Sequence, residues 1–486
     1  MNAMTVKPNF INGLWIEGST HLENTNPSDT SDVVGYFSIA DMDQVSDAIE
    51  AAKNSQAKLA ALTPQQRFDA LDFIGSEIHK RIDELADLLS REEGKALSDA
   101  KAEVNRASQI FKFFAGESLR IQGEIVSSTR PNMTVEITRE PVGVVTVISP
   151  WNFPIAIPAW KIAPALAYGN AVLFKPSELA PGSAWALAEI ISRSGFPPGG
   201  FNLLMGYGRD LGPALINDSR VDAVTFTGSE GTGRLVANAC VNRQGHIARF
   251  QLEMGGKNPL VVLDDADVDV AVECAVNGAF FSTGQRCTAS SRIIVTDKIH
   301  DAFVAKLISR MSQLKVGDAR TEGTIIGPVI DKNQLDKNLK FIQIGKDQGA
   351  HLAYGGVHKS NLLGKNGFYL EPTLFTNAHN NMRICQEEIF GPIAAVIRVK
   401  DAEEALQTAN DTPYGLSAGI CTTSLKHAAT FKRQLLAGMV MINAPTAGVD
   451  PHVPFGGRKA SSFGTREQGR YASEFYTVVK TSYVNP

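Results

Sequence analysis

Residues Val142–Ile148 read V-G-V-V-T-V-I, an almost unbroken β-branched run. A strand that is apolar on both faces is a strand covered on both faces, which is the habit of parallel sheets. A second short strand is expected at Ala171–Phe174, a helix near Ala184–Ser192 and a third strand at Val221–Phe226. Strand, helix and strand in repetition predict a doubly wound α/β unit. Pro259–Leu263, Ser291–Val295, Ala394–Val399 and Met439–Ile442 are also strand-like, with a helix over Ile299–Leu314, so a second α/β unit follows.

Working outward, Phe10–Gly35 is rich in turn formers and suits short strands. From Met42 to about Gly116 the pattern is helical, and Ile74, Ile78, Ile82, Leu85 and Leu89 make one apolar stripe. Thr63-Pro64 suits an N-cap followed by proline in the first turn. Gly123–Ile137 alternates around Pro131 like an exposed hairpin, and Glu474–Tyr483 is a β-prone tail.

The chain has 486 residues, more than one ordinary core accommodates, with 43% hydrophobic and 20% charged residues. A net charge of −4 offers no electrostatic footprint for nucleic acid or an anionic membrane. No apolar run is long enough to span a bilayer, and Met1–Lys7 lacks a basic-then-apolar leader pattern. Five cysteines (Cys240, Cys274, Cys287, Cys385 and Cys421) include no C-x-x-C pair, so neither a disulfide framework nor a metal site is expected. These features predict a protein of the reducing cytoplasm with free thiols, most of them packing residues.

Several loops at strand ends could carry chemistry. In Phe281-Ser282-Thr283-Gly284-Gln285-Arg286-Cys287-Thr288 a helix is expected to break at Gly284, with the cysteine just beyond. Backbone N–H groups and Arg286 would lower a thiol pKa there; a buried packing cysteine is the other reading. Glu253, before Gly255-Gly256, could be a general base if its setting is apolar, or a solvated glutamate before a turn. Pro150-Trp151-Asn152-Phe153-Pro154 ends the strongest strand, where Asn152 could donate to an oxyanion or simply form a turn. Lys175-Pro176-Ser177-Glu178 also follows a strand, where a lysine and an acid could hold ribose hydroxyls. Thr227-Gly228-Ser229 opens a helix, whose N-terminal N–H groups favour phosphate.

Together with Glu387-Glu388-Ile389-Phe390-Gly391-Pro392 and Pro454-Phe455-Gly456-Gly457, these motifs, in their order, resemble the aldehyde dehydrogenase superfamily over essentially the whole chain. The resemblance implies Cys287 as nucleophile, Glu253 as general base and Asn152 as oxyanion donor. It implies a cofactor site of Trp151, Lys175, Ser177, Glu178, Gly228, Ser229, Glu388 and Phe390, and a proton path through Lys161 and Glu467. NAD is expected to be preferred, with NADP as the alternative, because a carboxylate at Glu178 would repel a 2′-phosphate. The implied architecture is two doubly wound α/β domains plus a small β oligomerisation arm. An NAD-binding domain would comprise 1–122 and 144–255, a catalytic domain 256–468, and the arm 123–143 with 469–486. A homodimer or homotetramer is expected.

The C-terminal stretches Pro445–Asp450, His452–Lys459 and Arg466–Gly469, with Ile155–Trp160, are most similar to the α-ketoglutaric semialdehyde (2,5-dioxopentanoate) dehydrogenases. That implies a small aldehyde with a distal carboxylate. Arg286 or Arg106 would meet the carboxylate, each with a surface salt bridge as its plain alternative, and Phe153, Trp160 and Phe455 would line the tunnel. Succinate or glutarate semialdehyde dehydrogenase, or a broad aliphatic enzyme, is the runner-up. A catalytically silent member with a binding role is the distant alternative.

Overall fold

The computed structural model describes residues 5–362 and 364–486, so Met1–Met4 of the N-terminal stretch lie outside the described residues. Val144–Ile148 sits inside an eight-stranded sheet, paired in parallel with Ala171–Lys175 on one side and Ala223–Thr227 on the other. Val144, Val145 and Val147 are wholly buried. Phe201–Leu203 and Arg249–Glu253 extend the parallel core. Antiparallel edges close it: the hairpin Asn9–Ile11/Leu14–Ile16 and the short strand Ser462–Phe463. Ser462–Phe463, inside the 256–468 stretch expected to form the other unit, thus lies on this sheet. Its partners are Leu252 and Glu253, so a candidate site strand is what it covers.

Four helices precede this core: α1 (Met42–Ala61), α2 (Pro64–Lys80), α3 (Ile82–Glu93) and α4 (Leu97–Ser118). Thr63 caps α2 reciprocally with Gln66, with Pro64 in the first turn. The apolar stripe from Ile74 to Leu89 is shared by two helices rather than one, because Arg81 leaves helical geometry at φ −103, ψ 23. Its guanidinium is tied to Glu84 and Glu189 at that break. α5 (Ala156–Ala167) follows the Val144–Ile148 strand and is buried along its whole length.

The second sheet has seven strands, parallel except for its edge His351–Tyr354. Asn258–Val262 and Ser290–Thr296 are adjacent within it, so the chain on either side of Cys287 is anchored there. A third, three-stranded sheet joins the hairpin Glu124–Ser127/Thr134–Pro141 to Thr477–Val484. The tail therefore becomes a strand only at Thr477. Ser473–Tyr476 is a helical turn, with Phe475 and Tyr476 buried. Two α/β sheets and a small β arm are the architecture expected. Among the described residues no helix is long and apolar enough to cross a membrane.

Candidate active site

The helix Val268–Phe280 ends four residues before Gly284, earlier than expected. Ser282 and Thr283 take left-handed φ values of 52 and 56, followed by Gly284 at 65. Left-handed non-glycine residues cost roughly 1–3 kcal/mol each and persist only where the surroundings hold them. Here Asp99 accepts from the Ser282 N–H at 3.0 Å and hydroxyl at 2.8 Å. At Gly284 a Cβ would collide with the Gly391 carbonyl, so only glycine fits. The Asn258 amide donates to the carbonyls of Cys287 (2.8 Å) and Ala289 (3.0 Å), fixing the other end of the loop.

This loop sets the half-buried Cys287 between two cavities. One, of about 650 Å³, is lined by Trp151, Asn152, Gly228, Ser229, Glu388 and Phe390 among others. The other, of about 820 Å³, is lined by Arg106, Phe153, Trp160, Arg286 and Phe455 among others. Cys287 is the residue common to both linings. Its thiol pKa is pushed up to about 12, first by burial and then by the charges of Glu388 and Glu253. This corrects the expectation of a thiol acidified by Arg286. That guanidinium donates to the Asn277 carbonyl, and its charge is not among the chief influences on the thiol. The backbone N–H groups of Cys287 and Thr288 act in the expected direction but are outweighed. The other four cysteines are buried in the cores.

Asn152 is 3% exposed and donates through Nδ2 to the Gln285 carbonyl at 3.0 Å, leaving its second N–H free for a ligand. Glu253 ends its strand and is buried. Its Oε2 accepts from the Ser462 hydroxyl at 2.5 Å, while Oε1 has no hydrogen-bond partner among the described residues. Burial, reinforced by the charge of Glu467, holds its pKa well above the ordinary carboxylate range. Glu253 lines neither cavity, yet its charge is among those that raise the Cys287 pKa. Lys161 and Glu467 form a wholly buried ion pair. Thr225 accepts from Lys161 at 2.9 Å and Gln251 donates to Glu467 at 2.7 Å. Glu467 Oε2 is left without a partner among the described residues.

Lys175 and Glu178 are paired at 3.2 Å, and the Ser177 hydroxyl accepts from the Leu179 N–H at 3.2 Å. These three lie beyond the cavity that Cys287 lines, at the end of Ala171–Lys175. Burial lowers the pKa of Lys175. Ser229 caps the helix Glu230–Asn242. Glu388 accepts from the Gly256 N–H at 2.9 Å, and a Cβ on Gly255 would collide with its carboxylate. Phe390, at a left-handed φ of 64, meets Trp151 edge-on at 5.4 Å.

In the second cavity Trp160 stacks on Phe455 at 5.3 Å, and the Arg106 guanidinium lies 5.6 Å from the Trp160 ring centre. Arg106 Nη2 donates to Gln468 at 3.1 Å; the Nε atoms of Arg106 and Arg286 are buried without partners among the described residues. Among the described residues neither arginine is in an ion pair, which removes the surface-salt-bridge reading of both.

The sequence reading missed Thr227, Gln334 and Lys337 of the first cavity, and Asp99 and Glu103 of the second. Glu103 had a signal: it lies on the buried stripe of α4 with Ala100, Val104 and Ala107, where a glutamate is out of place. Among the described residues no cluster of His, Cys, Asp and Glu could hold a metal ion.

Residues 15–482 match the model of the aldehyde dehydrogenase family. The chain is 43% identical to the alpha-ketoglutaric semialdehyde dehydrogenase of Bacillus subtilis, over 98% of each chain. It is 40% identical to the alpha-ketoglutarate semialdehyde dehydrogenase of Haloferax volcanii, also over 98% of each. Betaine aldehyde dehydrogenase from Staphylococcus aureus, solved in complex with NAD+, superposes with a TM-score of 0.95 at 35% identity, covering 99% of this chain and 94% of that one. With a cysteine standing between two cavities at the ends of α/β strands, and with likeness over nearly its full length, the chain belongs to the aldehyde dehydrogenase family.

Proposed function

We propose that the chain oxidises α-ketoglutaric semialdehyde to 2-oxoglutarate, with NAD preferred as electron acceptor and Cys287 as nucleophile. Membership of the family establishes an NAD(P)-dependent oxidation of an aldehyde to an acid. The observation that carries the substrate class is the pair of half-buried guanidinium groups, Arg106 and Arg286, whose Nε atoms are shielded from solvent, in a cavity walled by Phe153, Trp160 and Phe455. Cations withdrawn from solvent are normally paired, so two half-buried guanidinium groups that lack a carboxylate partner among the described residues suit a substrate that brings one.

The first cavity fits the dinucleotide. The Thr227 hydroxyl is buried without a partner among the described residues, Ser229 caps a helix start, and the Glu388 carboxylate fills the space that a Cβ on Gly255 would need. Ser229 would meet the pyrophosphate, Lys175 and Glu178 the adenine ribose, and Glu388 the nicotinamide ribose, with Trp151, Ser177, Gly228 and Phe390 around them. Bound there, the nicotinamide supplies the hydride acceptor. Cys287 bonds to the aldehyde carbon, and its thiol proton passes to a base. Asn152 Nδ2 and the Cys287 N–H stabilise the oxyanion. Oxidation leaves an acyl thioester on Cys287. Glu253, ionised, takes a proton from water as the water attacks that thioester, and Cys287 departs as the leaving group. Lys161 and Glu467 carry the proton onward from Glu253.

An isolated edge strand favours a partner, and Ile125 and Val479 of the arm are 80% and 59% exposed. A homodimer or homotetramer joined through the arm follows. Location in the cytoplasm accords with five free thiols.

Kinetics with purified enzyme test the substrate. α-Ketoglutaric semialdehyde should exceed succinate and glutarate semialdehydes, and all three should exceed an uncharged aldehyde of equal length. Equal kcat/KM for glutarate semialdehyde and the uncharged aldehyde would sink the assignment. A maximum at succinate or glutarate semialdehyde would move it to that substrate, since the arginines alone do not set chain length.

A further inference from the structure

We propose that Lys95 is a positioning residue, which with Glu103 holds the 150–156 loop so that the Asn152 amide faces the reacting carbonyl. This rests on the reading of Asn152 as the oxyanion donor.

Lys95 lies between α3 and α4 and is 1% exposed. Its ammonium donates to the Asn152 backbone carbonyl at 2.5 Å and to Glu103 Oε2 at 2.6 Å. The same ammonium stands 3.8 Å over the ring centre of Phe153, which walls the second cavity. The other carboxylate oxygen of Glu103 accepts from the N–H groups of Ile155 (3.0 Å) and Ala156 (3.2 Å), where α5 begins. One ion pair therefore grips the loop at its carbonyl, at an aromatic ring and at two N–H groups. The Asn152 side chain is tied separately to Gln285, in the nucleophile's own loop.

Burial of such a pair is a poor route to stability. Desolvating two charges costs about as much as their attraction returns, and an apolar pair of equal volume is often as stable. What the ion pair contributes here is geometry. Charge-assisted hydrogen bonds are short and directional, and Asn152 is the group in the loop whose direction matters to the chemistry. A neutral side chain of the same length at position 95 would fill the space but let the Asn152 peptide turn.

The test is a double-mutant cycle on turnover with Lys95→Met and Asn152→Ala, each alone and combined. Lys95→Met is expected to lower kcat by about 10- to 100-fold, the scale of loss from a misplacement near 1 Å. The rate of Cys287 alkylation by iodoacetamide should not change, and NAD affinity should fall far less than kcat, because neither uses the Asn152 donor and Trp151 keeps its contact with Phe390. The double variant should be no slower than Asn152→Ala. Wild-type kcat in Lys95→Met, or losses that multiply in the double variant, overturns the proposal. So does a fall in NAD affinity and alkylation alongside kcat, which would mark general damage. If Lys95→Met does not fold, Glu103→Gln takes its place in the cycle with the same expectations. If Asn152→Ala alone turns over normally, the oxyanion reading and this proposal fall together. If Asn152→Ala is crippled but the losses multiply, only this proposal falls.

Discussion

Cys287 should alkylate slowly in the free enzyme, although it is the proposed nucleophile. Its pKa is pushed from an ordinary 9.0 up to about 12. A raised pKa favours the protonated thiol, so the reactive thiolate appears only as pH rises. At pH 8 an ordinary thiol is about 10% thiolate and Cys287 about 0.01%, a ratio near a thousand. Nucleophilicity grows with basicity, with a Brønsted slope of roughly 0.4–0.5, which returns about 15- to 30-fold over three pKa units. The net expectation is alkylation about 30- to 60-fold slower than a model thiol at pH 8. Iodoacetamide labelling followed by peptide mass spectrometry reads this rate at Cys287 alone. The rate should climb about tenfold per pH unit through pH 10 without a plateau. Glu388 is the largest charge opposing ionisation, after burial itself. Glu388→Gln keeps an oxygen for the Gly256 N–H and removes the charge, so it should alkylate faster than wild type. A plateau near pH 9 or below, or slower labelling in Glu388→Gln, would refute the reasoning.

Further outcomes follow from the same geometry. Cys287→Ala should abolish turnover and leave NAD affinity intact, as read by fluorescence titration. Glu253→Gln should slow kcat by about 10²- to 10⁴-fold, the usual worth of a general base. Because Glu253 works ionised and its pKa is held well above 4.5, wild-type kcat should rise with pH through an ionisation above the ordinary carboxylate range, and Glu253→Gln should lose that limb. Arg106→Leu should cost an anionic semialdehyde about 10- to 150-fold in kcat/KM, the worth of a charged hydrogen bond at about 1.5–3 kcal/mol, and leave an uncharged aldehyde nearly unchanged. Gly255→Ala should push the Glu388 carboxylate aside, weaken NAD binding, and cost about 1–3 kcal/mol in a urea melt, as overpacking does.

Much of the architecture was legible in local sequence, for stated physical reasons. Val144–Ile148 is β-branched and apolar on both faces, so burial in a parallel sheet follows from composition alone. Thr63-Pro64 and Ser229 announced helix starts because capping uses short-range hydrogen bonds. Other features needed tertiary partners. Arg81 interrupts an apolar stripe because Glu189, far along the chain, holds its guanidinium. Ser473–Tyr476 coils because Phe475 and Tyr476 find a core, despite their preference for strands. At the site, motif order singles out Cys287, Glu253 and Asn152 as candidates, but it does not give the sign of the Cys287 shift. Adjacency to Arg286 in sequence does not say where a long side chain points, and here it points to Asn277. Lys95 was invisible for the same reason, since its partners Glu103 and Asn152 are brought to it by the fold.

In the proposed reaction Cys287 becomes acylated by an acidic semialdehyde during turnover. Glu253→Gln enzyme, mixed with NAD and α-ketoglutaric semialdehyde and quenched in acid, should hold the acyl group because thioester release is slowed. Peptide mass spectrometry should find the 2-oxoglutaryl group, at the oxidation level of the acid, on the Cys287 peptide and on no other cysteine, with NADH formed in equal amount. NADH formed with Cys287 unmodified, or an acyl group on Cys240, Cys274, Cys385 or Cys421 instead, would contradict the account.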